Sequence, residues 1–187
     1  MRKLSVFESI SLDGYFSDGT PDASWAHRAS DPELDAYVAS SANSNGALVF
    51  GRKTYEIMAS FWPTPAAAQL FPEVARGMNA SPKYVFSRTV TASAWPNTRI
   101  INSDPIAAIR ELKAETGPTL VVLGSGSIVS QLVQAGLVDE IQLMLVPVVL
   151  GHGHALFDGV TATPHLVLAK HRAFPSGNVA LTYDVLA

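Results

Sequence analysis

The chain contains no cysteine, so disulfides, thiol nucleophiles and cysteine-held zinc or iron–sulfur sites lie outside its chemistry. Charge is also scarce: 16% of the 187 residues are Asp, Glu, Lys or Arg, against 48% apolar ones. Thirteen basic and sixteen acidic side chains give a formal net charge of −3. That is the opposite of the Lys and Arg excess that follows a phosphate backbone, so no nucleic-acid partner is expected. Long hydrophobic runs are missing as well. The longest, LMLVPVVL, falls far short of the roughly 20 residues of a membrane span, and no membrane association is expected. The opening MRKLSVFESISLDG carries two basic residues, but Glu8 and the serines interrupt its apolar stretch, unlike a secretory leader. The expectation is a soluble cytoplasmic protein, one domain over 1–187, with apolar residues enough for a sizeable core.

What is present alternates in type. Lys3 to Ile10 reads as a strand closed by the turn signal Asp13-Gly14. Asp31-Pro32 caps a helix over Pro32 to Ala42, with Leu34, Tyr37 and Val38 at helical spacing. GALVFG is a buried strand, followed by a short helix from Thr54. The proline-bearing stretch from Phe61 to Pro82 reads as a lid or connection with a further helical turn or two. KYVFS and TRIIN are strands, Asp104-Pro105 caps a helix that stops at Gly117-Pro118, and TLVVL is a buried strand. Ile128, Val129, Leu132 and Val133 then share a helix face that ends at Gly136. A strand from EIQLMLV and a hairpin joined at PSGN finish the chain. This order implies an α/β fold with a mostly parallel sheet and an antiparallel edge.

The seam LGSGSIV between strand and helix exposes backbone N–H groups and the positive end of a helix dipole, which together favour a phosphate. A tight turn with a serine cap is the plainer alternative. Gly124 to Ser127 lack the third glycine of a dinucleotide-binding G-x-G-x-x-G, no Walker Gly-Lys-Ser/Thr is present, and G-x-S-x-G is not satisfied. His152 and His154 alternate without a third ligand, so no metal is expected. Ligands of open α/β sheets settle outside the carboxyl ends of the strands. Three segments meet that condition: GRKT with Arg52, Lys53 and Thr54, SRT with Ser87 and Arg88, and the Gly124 to Ser127 amides. One dinucleotide can span all three.

The ordered set SLDGY, GRKTYEIMASFWP, KYVFSRT and VLGSGSIVSQLVQAGLVDEIQLMLVPVVLGHGHALF resembles the bacterial riboflavin-biosynthesis reductase family, the RibD C-terminal domain, whose fold is that of dihydrofolate reductase. The resemblance implies a three-layer α/β/α fold with a mixed, mostly parallel eight-stranded sheet and antiparallel C-terminal edge strands. It also implies NADPH lying across the strand ends, a small-molecule substrate and a homodimer. The implied activity is hydride transfer to a C=N or C=O carbon of a small pteridine-, pyrimidine- or sugar-derived compound. A non-catalytic NADPH or small-molecule binder on the same fold is the alternative.

Residue roles follow from the resemblance. It implies that Gly51, Arg52, Lys53 and Thr54 contact the cofactor, that Ser87 and Arg88 lie near the adenosine 2′-phosphate, and that Gly124, Ser125, Gly126, Ser127 and Ile128 cradle the pyrophosphate. Charge-assisted hydrogen bonds from Arg88 would favour NADPH over NADH. Dihydrofolate reductases keep a carboxylate on the first helix, sixteen residues before the glycine of the Gly-Arg turn, which here is Asp35. Asp35 is either a buried carboxylate that helps deliver a proton or an exposed acid favoured by the helix dipole. Asp13-Gly14 is either a loop closing over the nicotinamide or an ordinary turn. Trp25, Phe61 and Trp62 either stack on a flat heterocycle or pack the core. Val129 stands where dihydrofolate reductases place a tyrosine, and Gly124-Ser125 replaces their double glycine, so strict folate reduction is not implied. The zinc-deaminase ligands that often accompany the riboflavin enzyme are missing, so a stand-alone reductase unit is expected.

Overall fold

The computed structural model describes residues 1–20 and 23–186. The strands are β1 (Leu4–Ser11), β2 (Tyr15–Ser17), β3 (Ala47–Gly51), β4 (Lys83–Phe86), β5 (Thr98–Ile101), β6 (Leu120–Val122), β7 (Glu140–Val146), β8 (His154–Ala155), β9 (His165–Ala173) and β10 (Val179–Leu186). The α-helices are α1 (Pro32–Ala42), α2 (Arg52–Phe61), α3 (Pro65–Leu70), α4 (Pro72–Ala80), α5 (Pro105–Ala114) and α6 (Gly126–Gln134), with a 3-10 turn at Ser24–His27. Eight strands form one sheet in the order β5-β4-β3-β6-β1-β7-β10-β9. Pairing is parallel from β5 through β7, and β10 is antiparallel to both β7 and β9. Strands β2 and β8 make a separate two-stranded ribbon, too short to be read from periodicity.

Local chemistry explains the helix ends. Asp31 accepts hydrogen bonds from the Glu33 and Leu34 N–H groups at 2.8 and 3.1 Å, and Pro32 opens α1 where no N–H is needed. Asp104 does the same for α5, accepting from the Ala107 N–H at 2.9 Å. Helix α6 stops in a Schellman turn. Gly136, at φ +63°, donates to the Val133 carbonyl, and Leu137 donates to that of Leu132, at 3.0 and 3.1 Å. Helix α2 begins at Arg52, two residues before the expected Thr54, because Gly51 in extended conformation already serves as its N-cap.

Alternation along the strands sends residues to two faces. Ala47 and Val49 pack with Ile109, Ile128 and Leu132 of α5 and α6. Leu48 and Phe50 pack with Tyr55 of α2 and Met78 of α4. Leu34 of α1 meets Met144, Phe174 and Ala180 on the side opposite Ile141. The result is three layers, with α5 and α6 on one face and α1, α2 and α4 on the other. The stretch expected as a lid or connection with a further helical turn or two carries α3 and α4, and α4 joins the packed layer, lying against α1 at Gly77. A Cβ there would collide with the Ala42 carbonyl.

The Asp13-Gly14 turn is tied down. Gly14, at φ +86°, donates to the Ser11 carbonyl at 3.0 Å. The Asp13 carboxylate accepts from the Leu150 and Gly151 N–H groups at 3.1 and 2.7 Å. The Ser11 hydroxyl and these amides pull its pKa down to about 2.

Two outcomes are expected. Alanine is favoured over glycine in a helix interior by about 1 kcal/mol, yet the contact with Ala42 makes Gly77→Ala destabilising by about 1–2 kcal/mol in urea unfolding. A stabilised variant would contradict the close helix approach. The Asp13 tether, with its depressed pKa, is complete above the ordinary carboxylate range and lost as pH falls toward about 2. Hydrogen exchange at neutral pH should show the Gly151 amide protected in wild type and unprotected in Asp13→Ala; equal protection in both would refute the tether.

Candidate functional site

Helices α2 and α6 leave β3 and β6 toward opposite faces of the sheet, although those two strands are neighbours. Such a divergence opens a crevice at the carboxyl ends of the strands, where open α/β sheets hold ligands. The Gly51 N–H donates to the Gly124 carbonyl at 2.9 Å, continuing the ladder beyond Val49 and Val122. The Gly124-Ser125 peptide bond is cis. A Cβ on Gly51 would lie 2.5 Å from Ser125 Oγ, and one on Gly124, at φ +98°, would lie 2.8 Å from Thr54 Oγ1. Gly126 is covered by the Phe16 ring so closely that a Cβ there would overlap it. The GRKT turn and the glycine-serine seam are thus one surface made from two strand ends.

Among the described residues no side chain caps α2 or α6, whereas α1, α3 and α5 are capped by Asp31, Thr64 and Asp104. Helix α4, entered directly from α3, is uncapped as well. At α6 the capping serine forgoes the helix: Ser125 Oγ meets Ser127 Oγ at 3.0 Å instead. The plain serine cap is therefore absent, and the first-turn amides of both cleft helices are left for an anion. Ile128 is buried behind the seam in the core, so it shapes the loop rather than lining the opening.

The basic residues are disposed unequally. Arg52 is paired with Glu56 at 2.9 Å along α2, and Lys53 is exposed beside it. Ser87 is buried, and its Oγ accepts from the Thr89 and Val90 N–H groups at 3.2 and 2.9 Å, shaping the turn after β4. That turn holds Arg88 out into solvent with no ion pair among the described residues.

Several expected substrate contacts are not brought to this crevice. Trp25 is 3% exposed and belongs to the core, so it packs rather than stacks on a ligand. Phe61 and Trp62 stand at the far end of α2, about 15 Å along the helix from Arg52. There they form edge-on contacts with each other and with Phe71, and Trp62 Nε1 donates to Met58 Sδ. Asp13-Gly14 is the tethered turn described above. Asp35 is exposed on the first turn of α1, where its carboxylate accepts from the Ser30 hydroxyl at 2.6 Å. Leu34, Tyr37 and Val38 take the inward face of that helix, which turns Asp35 outward.

The buried carboxyl of this region is instead Glu8, on β1. It follows Leu4 and Val6 and precedes Ile10, all packed on the α5/α6 face, so its alternation carries it inward. Strand β6 ends at Val122, opposite Val6, and the chain beyond turns Gly124 against Glu8. Oε1 lies 3.2 Å from where a Gly124 Cβ would be, the same point that Thr54 Oγ1 approaches. Oε1 is out of reach of solvent and has no hydrogen-bond partner among the described residues, a condition shared only with Asn178 Oδ1 in the hairpin turn. Burial alone pushes the Glu8 carboxyl up to about 8. The sequence carried the signal in the apolar alternation around Glu8, within the stretch Lys3 to Ile10 that reads as a strand.

Residues 2–180 match the family described as the RibD C-terminal domain. The chain is 28% identical over 183 residues to the uncharacterised Bacillus subtilis (strain 168) protein YyaP, covering 97% of this chain and 94% of that one. YwjB of the same organism is 25% identical over 173 residues, 92% of each chain. A solved structure from Shewanella sp. PV-4, described as a candidate riboflavin biosynthesis protein, superposes with TM-score 0.76 at 22% identity over 99% of both chains. A pyrimidine reductase-like protein from Corynebacterium diphtheriae gives 0.64 at 14%, over 100% of this chain and 92% of that one. A dihydrofolate reductase from Enterococcus faecalis complexed with NADP(H) gives 0.66 at 12%, over 99% and 97%. These superpositions show the dihydrofolate reductase-like fold, with its mixed sheet and antiparallel edge strands. With the matched residues running from the start of β1 into β10, the chain belongs to the RibD C-terminal domain family.

Proposed function

We propose that the chain is an NADPH-dependent reductase acting on a C=N or C=O carbon of a small pteridine-, pyrimidine- or sugar-derived substrate. The observation that carries this reading is the crevice between β3 and β6, where Gly51 and Gly124 meet beneath two helix N-termini without side-chain caps. The residues present fit a dinucleotide, because the amides of Gly126 and Ser127 and of Arg52 and Lys53 offer anion donors at the two strand ends. NADPH would supply the hydride. The seam from Gly124 to Ser127 would hold the pyrophosphate, Thr54 would support it from α2, and exposed Arg88 would meet the adenosine 2′-phosphate. The family membership and the NADP(H) complex of the Enterococcus faecalis relative in fold support the same cofactor class. The exposure of Asp35 favours a second reading, a binder of the same cofactor without turnover.

The homodimer belongs to this proposal through β9. It is an edge strand, and Leu166, Val167 and Leu168 are 37%, 42% and 48% exposed. Leu166 and Leu168 stand beside Val185 and Tyr183, giving an apolar sheet surface of the kind that a second copy covers.

Cofactor binding is tested by thermal shift. A hundredfold excess of NADPH over its Kd adds about 2.7 kcal/mol, raising Tm by roughly 5–10 °C for a chain of this size. Arg88→Ala should weaken NADPH about tenfold or more and leave NADH unchanged. No binding of either nucleotide at about millimolar concentration, a near-negligible affinity, would sink the reading. Loss of NADPH absorbance with a pteridine and pyrimidine panel separates the reductase from the binder. In light scattering, wild type should run as a dimer and Leu168→Arg as a folded monomer; a monomeric wild type removes the dimer.

A further inference from the structure

An acid has been placed in an apolar stripe at the floor of the crevice, and nothing in the fold uses it. Leu4, Val6 and Ile10 continue the core, while Glu8 between them presents Oε1 to Gly124 and Thr54 without a partner. Oε1 is out of reach of solvent, yet the residue as a whole is only half-buried, so Glu8 stands between the core and the crevice. No cation pairs with it among the described residues.

The surrounding elements supply little that could hold a negative charge there. On α2, Arg52 is bound to Glu56 and Lys53 is exposed. Helix α6 carries no charged residue. On β7, Glu140 is engaged with Lys3 at the other end of the strand. Tyr15 lies on β2, His154 on β8 against Phe16, and the Asp13 carboxylate is taken up by the Leu150 and Gly151 amides. An ionised carboxylate at this point would repel any anion drawn to the Gly124 loop, whereas the acid form can donate to one.

We propose that Glu8 is a cofactor-binding residue that acts as a neutral hydrogen-bond donor to the anionic dinucleotide seated on the Gly124 loop. Binding then keeps a proton on the Glu8 carboxyl and weakens when that proton leaves. The inference rests on the dinucleotide reading of the crevice and deepens it. It adds a donor that the glycine-serine and Gly-Arg motifs do not contain, and it makes cofactor affinity a function of pH.

The probe is NADPH, titrated by calorimetry from about pH 7.5 to 10, above the second ionisation of its phosphate near 6. In wild type the affinity is level up to about pH 8 and falls about tenfold per further unit as one proton must be regained. Near pH 8.5, runs in buffers of different ionisation enthalpy show net proton uptake on binding. Glu8→Gln, whose amide also donates, binds within a few-fold of wild type at neutral pH, follows no such fall and takes up no proton. His154→Gln keeps the wild-type profile. The unliganded protein gives a second readout: with the Glu8 pKa raised in the fold the unfolded chain ionises first, so stability falls as pH rises from the ordinary carboxylate range to about 8 and levels beyond it. Glu8→Gln removes that slope from the Tm profile.

NADPH binding whose pH profile Glu8→Gln does not move overturns the role of Glu8 and leaves the reductase reading standing. Absence of NADPH binding at every pH overturns the reductase reading itself. Should Glu8→Gln fail to fold, the wild-type calorimetry decides: binding without proton uptake near pH 8.5 overturns the proposal.

Discussion

Gly51 and Gly124 face each other at 2.9 Å across the ends of β3 and β6, and neither can carry a side chain without striking Ser125 or Thr54. That contact keeps two parallel strands paired to the last residue before their helices part to opposite faces of the sheet. A methyl group on Gly51 would press on Ser125 and Ile128, and one on Gly124 on Thr54 and Glu8, so either would force the two strand ends apart. The crevice is therefore a consequence of backbone approach, and its small residues are required by packing before any ligand is considered.

The two ends of the sheet treat buried polar groups differently. At the amino end the described polar groups are well partnered. Arg2 Nε donates to the Pro118 carbonyl at 2.7 Å, and Lys83 Nζ donates to the Asn79, Ser81 and Pro96 carbonyls beneath the Trp95 ring. Asp139 accepts from the Leu4 N–H and from Lys113. At the carboxyl end, among the described residues, Glu8 Oε1 is left without a partner and the amides of α2 and α6 lack side-chain caps. Unsatisfied buried groups are costly, so the unpartnered Glu8 Oε1 beside two uncapped helix N-termini sets the crevice apart from the amino end of the sheet.

Signals that act over a few residues were legible in the sequence. The Asp31-Pro32 cap and the Leu34, Tyr37, Val38 spacing place α1 over Pro32–Ala42 as observed, and Gly136 ends α6. The convergence of the Gly-Arg turn with the glycine-serine seam followed from their places at the carboxyl ends of strands. Features that depend on which face a residue takes were harder. The spacing from Asp35 to Gly51 identifies a helix but says nothing of its buried side, and the Leu34, Tyr37, Val38 stripe turns Asp35 to solvent. Trp25 and Trp62 carry aromatic faces suited to a ligand, and the same area is used in packing. Glu8 is visible only when the alternation of Leu4, Val6 and Ile10 is joined to the end of β6 at Val122, a relation between strands distant in the chain.

The central claim is that backbone amides at the meeting of two strand ends bind a dinucleotide. Its most direct test is to follow amide resonances of the isotope-labelled protein during NADPH titration. The account predicts the largest shifts at Gly51, Arg52, Gly126 and Ser127, with smaller changes at Arg88 and Glu8. Shifts centred instead on the hollow lined by Ile106, Ser130, Gln134 and Asp158, with the strand-end amides unmoved, would contradict it.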